Sequence, residues 1–260
     1  DGRRVLASFP SQGVERHAWL YDRAAAPARQ VTSPGGAIRL AFSDDGTRGV
    51  LGMHGGAGSG LWLTRLGSGT APEPLATKGG AGTAPFAMDW RGSKVLYSGI
   101  ASQEGRLSRS IGLLDLETGD DRLLLDTPGN ELFSVVSPDG RWLAYASDET
   151  GQWEVYVATF PKAGERWRVS ASGGHQPRWN PDGSELFYIA PDRRMMSLRV
   201  RSGSGFEWDA PRPLFQTEIV DLGPFRGCWG YAVAPDGQRF LILTRRPQGP
   251  SPAVAIVGWK

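Results

Sequence analysis

The stretch SPDGRWLAYASDETGQWEVYV, residues 137–157, sets a Pro-Asp-Gly turn, an apolar run, a polar break and a second apolar run in close succession. Pro138 fixes φ near the value wanted at the second turn position, Asp139 suits the third, and Gly140 supplies the positive φ of a hairpin corner. Beyond the corner, Trp142, Ala144 and Ala146 alternate with Leu143 and Tyr145, so both faces of this strand are apolar and neither is meant for water. SDETGQ then breaks the run with turn formers, and WEVYVATF begins another strand rich in β-branched and aromatic residues.

The unit recurs along the chain. Turn glycines align at Gly2, Gly46, Gly92, Gly140, Gly183 and Gly237, with steps of 43 to 54 residues. That period fits four short strands and is too short for strand, helix and connecting loops. Ahead of each turn except the first lies a further apolar strand (IRLAF, FAMDW, LFSVV, PRWN, WGYAVA), itself preceded by a glycine or proline loop such as TSPGGA, TKGGAG, TPGN or SASGGHQP. No amphipathic helical period appears, and the 36 glycines and 19 prolines in 260 residues punctuate strands. The expected class is therefore all-β.

Short sheets that are apolar front and back need neighbours on both faces, which a ring of blades supplies. The repeats predict a six-bladed β-propeller of four-stranded antiparallel blades, at about 1–33, 38–76, 86–126, 132–170, 175–216 and 229–260, forming one domain over 1–260. The terminal blades are incomplete in this reading. The sequence opens inside a turn at Asp1, and 229–260 supplies three strands, so residues ahead of Asp1 in a parent chain are expected to supply the missing strands, or a whole seventh blade.

Composition excludes some functions. Lys plus Arg number 29 against 27 Asp plus Glu, a net charge of +2 that is too balanced for an electrostatic nucleic-acid platform. Tryptophans such as Trp62, Trp90, Trp142, Trp153 and Trp179 fall in strands or beside turns, where they serve packing. Cys228 stands alone, so no intrachain disulfide is available, and no run has membrane-spanning length.

Chemistry-bearing patterns are sparse. A Gly-x-Ser-x-Gly elbow is missing, and HGGAGSG at 54–60 lacks the Lys-Ser/Thr ending of a phosphate loop. Asp45, Asp139, Asp182 and Asp236 repeat inside the turns, which argues for backbone hydrogen bonding. DETG at 148–151 and DLETGDD at 115–121 have the charge of a calcium loop without its spacing. The repeats set His17, His54, His175 and Cys228 too far apart to share an ion. No catalytic residue, metal ligand or cofactor is assigned. The candidate binding residues lie at or just ahead of the innermost strands, at the face opposite the turns: Arg39, Glu131, His175, Gln176, Arg178, Arg226 and Trp229. Their arginines and tryptophan suit a protein or peptide partner that carries carboxylates or other anionic groups.

The blades SPDGRWLAYASDETGQWEVYV and HQPRWNPDGSELFYI resemble WD-repeat-like propeller blades of the TolB type. The order EVYVATFPKAGERWRVSASGGHQPRWNPDGSELFYIAPDRRMMSLRV, then APRPLF and YAVAPDGQRFLIL, is similar to the C-terminal propeller of bacterial serine/threonine protein kinases. That resemblance implies a non-catalytic interaction or sensor module, on the extracytoplasmic side of a membrane helix, with kinase activity in an upstream part. Two alternatives remain open at this stage: a propeller hydrolase or lactonase with a channel metal, and a periplasmic accessory protein like TolB.

Overall fold

The computed structural model describes residues 4–10, 16–22, 25–30, 37–53, 59–66, 68–77, 83–103, 106–201, 203, 205–219, 229–245 and 252–258. Among them there is no helix, and hence none long and apolar enough to cross a membrane. The chain divides into two compact units, Asp1–Pro128 and Gly129–Lys260.

Unit 1 contains three antiparallel sheets whose strands follow chain order. The first is β1 (Arg4–Pro10), β2 (Arg16–Asp22) and β3 (Ala25–Gln30); the second is β4 (Ala37–Phe42), β5 (Arg48–Met53), β6 (Gly60–Arg65) and β7 (Glu73–Pro74). The third comprises β8 (Thr83–Arg91), β9 (Lys94–Gln103), β10 (Arg106–Asp115) and β11 (Asp121–Leu125).

Unit 2 repeats the plan. Its first sheet is β12 (Glu131–Val136), β13 (Trp142–Ser147), β14 (Glu154–Thr159) and β15 (Arg166–Arg168). The second is β16 (His175–Trp179), β17 (Glu185–Ile189) and β18 (Arg194–Arg201), edged by β19 (Glu207–Trp208) and β20 (Arg212–Gln216). The third is β21 (Tyr231–Val233), β22 (Arg239–Arg245) and β23 (Pro252–Gly258). β4, β8 and β12 begin at Ala37, Thr83 and Glu131, one to three residues ahead of the spans read from the turn glycines.

The second sheet of unit 2 exceeds the four-strand plan for a clear reason. β19 pairs with the Val200–Arg201 end of β18 and β20 with its Arg194–Ser197 end, so the two are halves of one outer strand. Pro211, which has no N–H to give to a ladder, lies in the break between them.

The turns close as their sequence dictates. Gly140 has φ 73°, its N–H donates to the Ser137 carbonyl at 2.9 Å, and Asp139 Oδ1 accepts from the Arg141 amide at 3.1 Å and from the Ser137 hydroxyl at 2.5 Å. Asp45, Asp182 and Asp236 make the same bond to the amide two residues on, at 2.9, 2.8 and 2.9 Å. The third sheet, which lacks the Pro-Asp-Gly triplet, instead uses a two-residue corner between paired Arg91 and Lys94, with Gly92 at φ 55°. Asp44 steadies that corner from the neighbouring sheet, accepting from the Gly92 amide at 2.9 Å and the Arg91 guanidinium at 3.0 Å.

Two-sided burial is complete in β13, where every residue from Trp142 to Ser147 is buried. Trp142 and Ala144 join Val155 and Val157 against Trp179, Leu186, Tyr188 and Leu198 of the next sheet. Gly174, between the Tyr188 ring and Val155 of the first sheet, has room for no side chain, since a Cβ there would lie 2.6 Å from the ring and 3.3 Å from Val155. In unit 1, Ala41, Val50 and Leu61 meet Ala87, Trp90, Val95, Tyr97 and Leu114 in the same manner. Of the tryptophans read as packing residues, Trp90, Trp142 and Trp179 are buried, while Trp62 and Trp153 are half-buried.

The turn carboxylates make stability depend on pH. Hydrogen bonds from the Ser43 hydroxyl and from Thr47 hold the Asp45 carboxyl at about 2, against an ordinary 3.8. A depressed pKa contributes stability that is fully present above the unfolded value and is lost as pH falls through the folded one. Asp45→Ala is therefore expected to melt below the parent chain at neutral pH, with the gap closing between about pH 4 and pH 2. Thermal melts at stepped pH read this directly, and a constant gap would refute it.

Candidate functional site

Six of the seven predicted binding residues fall in unit 2, and the five of them that are described lie around two breaks in the β ladder. β12 and β16 each begin with a register shift against their partner, between Leu132 and Val135 and between His175 and Arg178. Inside those bulges Phe133 has φ 58° and Gln176 φ 59°, a left-handed conformation that costs a side-chain-bearing residue about 1–2 kcal/mol. Bulges re-aim side chains, and here they do so at the same place in consecutive sheets.

The result is a continuous aromatic run. Phe133, fully buried, stacks on His175 with ring centroids 6.3 Å apart and meets Trp229 edge-on at 5.4 Å. The Arg178 guanidinium lies over the Trp229 ring, 4.1 Å from its centroid. Trp229 is fixed by its indole N–H, which donates to the Pro177 carbonyl at 3.1 Å. Gln176 fastens β16 to β21: its Oε1 accepts from the Gly230 amide at 2.6 Å, and its carbonyl accepts from the Tyr231 hydroxyl at 2.8 Å. Burial pushes the Tyr231 phenol far above its usual range, so it acts as a permanent neutral donor.

The candidates divide by position. Glu131 is fully buried and accepts from the Ser147 hydroxyl at 3.2 Å, and Gln176 is 4% exposed. These two face inward and hold the framework. His175, Arg178 and Trp229 are half-buried and form the accessible rim. Arg39 belongs to unit 1, where it is 6% exposed, donates to the Met88 sulfur at 2.7 Å and lies over the Phe86 ring at 4.7 Å. Arg226, Cys228 and His54 lie outside the described residues, and of His17 only the backbone, in β2, is described.

Carboxylates near these strands are engaged in clipping loops. Asp148 accepts from the Asn130 amide at 2.6 Å and from its side-chain nitrogen at 2.9 Å, tying the SDETG loop to the segment ahead of β12. Glu154, fully buried, accepts from the Gly173 amide at 3.0 Å, from Gln152 Nε2 at 2.6 Å and from the Ser170 hydroxyl. Among the described residues no group of three or more His, Cys, Asp or Glu is arranged to hold a metal ion.

What the rim offers is a guanidinium over an indole, beside an imidazole. A guanidinium carries parallel N–H groups that match a carboxylate in bidentate fashion. Sequence reasoning did not single out Phe133 or Tyr231, which organise the rim. LFSVV reads as an ordinary buried strand, and nothing in it signals the bulge.

No family model matches the chain. A curated uncharacterized protein of Agrobacterium fabrum is 29% identical over 102 residues, covering 39% of this chain and 33% of that protein. TolB from Acinetobacter baumannii shares the fold with a TM-score of 0.68 at 16% identity, over 98% of this chain and 61% of that one. A putative 6-phosphogluconolactonase from Bacteroides fragilis does so with a TM-score of 0.62 at 14% identity, over 98% of this chain and 77% of that one. The chain thus spans about a third of the curated relative and less than two thirds of TolB. These likenesses show the fold, which is all-β and of the TolB-like β-propeller kind.

The Gln176 fastening has a measurable consequence. Gln176→Ala leaves the Gly230 amide buried without its acceptor, a loss expected to cost about 1–3 kcal/mol. Urea unfolding monitored by tryptophan fluorescence should show the midpoint falling at unchanged slope. A midpoint equal to the parent's would mean that the bond contributes nothing.

Proposed function

We propose that this chain is a non-catalytic interaction module that binds a carboxylate-bearing protein or peptide segment through the rim formed by Arg178, His175 and Trp229. The reading counts each of the six sheets as one blade. The observation that carries it is the Arg178 guanidinium lying 4.1 Å from the Trp229 ring centroid. An arginine fixed in this way has already lost much of its rotamer freedom, so less is lost on binding. Aromatic and arginine side chains at a half-buried centre are the residue types that dominate binding energy at interfaces.

The finer reading places the module at the C-terminal end of a larger bacterial signalling protein, such as a serine/threonine kinase, with the rim on the extracytoplasmic side of a membrane. Its support is the resemblance of residues 154–200, APRPLF at 210–215 and the late YAVAPDGQRFLIL to the propellers of such kinases. A periplasmic accessory role like that of TolB is compatible with the same rim. A second reading, a lactone hydrolase, is favoured by the likeness in fold to the putative 6-phosphogluconolactonase.

A peptide array with free and amidated C-termini separates the binding readings from the enzyme. The module should be retained by acidic or free-carboxylate peptides, with affinity falling as salt rises. Arg178→Ala should weaken retention about tenfold or more, and Arg178→Lys should restore only part of it. Equal retention of parent and Arg178→Ala would remove the rim from the account. Hydrolysis of 6-phosphogluconolactone above background, lost in His175→Ala, would decide for the enzyme.

A further inference from the structure

Unit 1 carries a second cation-on-aromatic arrangement, built from residues that the proposed rim does not use. Phe86 on β8 has two guanidinium groups over its ring, Arg39 at 4.7 Å and Arg109 at 4.5 Å from the centroid. The two positive charges are therefore within about 10 Å of each other, inside the screening length of 0.1 M salt. Phe86 itself is 5% exposed and Arg39 is 6% exposed, so this concentration of charge sits largely out of water. Burial holds the Arg109 guanidinium below its ordinary value, which marks a cation whose hydration has been partly stripped. A partly desolvated guanidinium is a stronger donor to an anion than a hydrated one.

The strand that carries Arg109 adds a second feature. At the start of β10, Leu107 is exposed, Ser108 is buried, Arg109 is half-buried and Ser110 is buried, so one face of the strand opens at this end while the rest of it is covered. Leu107, Arg109 and Ile111 share that face. Phe86 belongs to it too, because Phe86 pairs with Ser98 and Ser98 with Ile111. Exposure rises in one direction along the face, from Ile111 at 0% through Arg109 to Leu107 at 71%, one of the two large apolar side chains that stand open among the described residues. Residues two apart on a strand are about 7 Å apart. A guanidinium and an exposed isobutyl group at that spacing match an anionic head with a short apolar body.

We propose that the Arg109–Phe86–Arg39 stack, with Leu107 beside it, is a binding site for a carboxylate borne on an aliphatic group. Arg109 takes the carboxylate, Arg39 reinforces the positive potential through the shared ring, and Leu107 covers the aliphatic part. Such a carboxylate is supplied equally by a fatty acid or by a polypeptide ending in an aliphatic residue, and the two sources separate by experiment.

Titration calorimetry of the whole chain, with octanoate in one arm and N-acetyl-Gly-Gly-Leu in the other, tests the site. Acetate serves as the small-anion probe, and the C-terminal amide of the peptide as the uncharged one. Saturable millimolar or tighter binding of octanoate or the acid peptide is expected, with acetate weaker and the amide silent. Whichever of the two binds more tightly identifies the source. Arg109→Ala should weaken binding about tenfold. Leu107→Ser, a change at an exposed position that leaves the packing intact, should weaken it severalfold while leaving acetate unaffected. Because the proposed rim also takes free-carboxylate peptides, both arms are repeated in an Arg178→Ala background, where the losses caused by Arg109→Ala and Leu107→Ser should persist; their disappearance there would assign the binding to the rim and overturn the proposal. Absence of binding by the parent chain, or equal binding by Leu107→Ser and the parent, would overturn the proposal.

Discussion

The structure depends on strands that must be covered on both faces. A strand such as β13, buried from Trp142 to Ser147, cannot stand at the surface of a two-layer protein, because each of its faces would need a separate shield. Within unit 2 the first sheet is shielded by the second through Trp142, Ala144, Val157, Trp179 and Tyr188, and the second by the third through Phe187, Phe240 and Ile242. Side-chain size is set by this stacking. Glycine makes room for the large rings within a sheet, as at Gly174 against Tyr188 and at Gly112 against its cross-strand partner Tyr97, each a position where a Cβ would lie under 3 Å from a ring. Close packing of this kind tolerates little added volume, and overfilling it typically costs about 1–3 kcal/mol.

A sheet stacked on both faces has only its two ends left for polar chemistry, and the two ends are used differently. At one end the turns are closed by aspartates whose oxygens already accept backbone amides, so Asp45, Asp139, Asp182 and Asp236 are committed to shape. At the other, Asp148 and Glu154 are committed to holding the connecting loops. The acidic groups therefore serve the framework. The rim is left with arginine, histidine and aromatic rings, which is why the partner proposed for it is an anion.

The turns and the two-faced strands could be read from the sequence because both are local. Proline, aspartate and glycine act through φ and through bonds to amides two residues away, and an apolar run of alternating large and small residues announces two buried faces without reference to anything distant. The same locality explains what was missed. Glu131 and Gln176 were expected at a binding surface and sit inside, since whether a polar side chain at the start of a strand turns in or out is decided by its partners, Ser147 for one and Gly230 for the other. Gly230 is 54 residues from Gln176, beyond the reach of any local pattern. The split of the outer strand into β19 and β20 was visible as Pro211 but was not predicted, because proline on an edge strand is tolerated as often as it interrupts.

The bulges connect fold to function. A regular ladder fixes every side chain by period two, and a residue at the mouth of a sheet would then point either along the neighbouring face or into the core. Inserting one residue at left-handed φ, as at Phe133 and Gln176, releases that rule for a single position and lets an aromatic ring and an amide enter the space between adjacent innermost strands. The conformational cost of about 1–2 kcal/mol at each is offset by what the re-aimed groups do: Phe133 gains stacking with His175 and Trp229, and Gln176 satisfies the Gly230 amide and the Tyr231 hydroxyl. Those gains also fix the indole that lies beneath Arg178, which is held by Pro177 on one edge and Phe133 on the other. Strain in the backbone, satisfaction of the buried amide and placement of the cation are thus one coupled arrangement, and the anion recognition proposed for the rim rests on the same irregularity that interrupts the ladder.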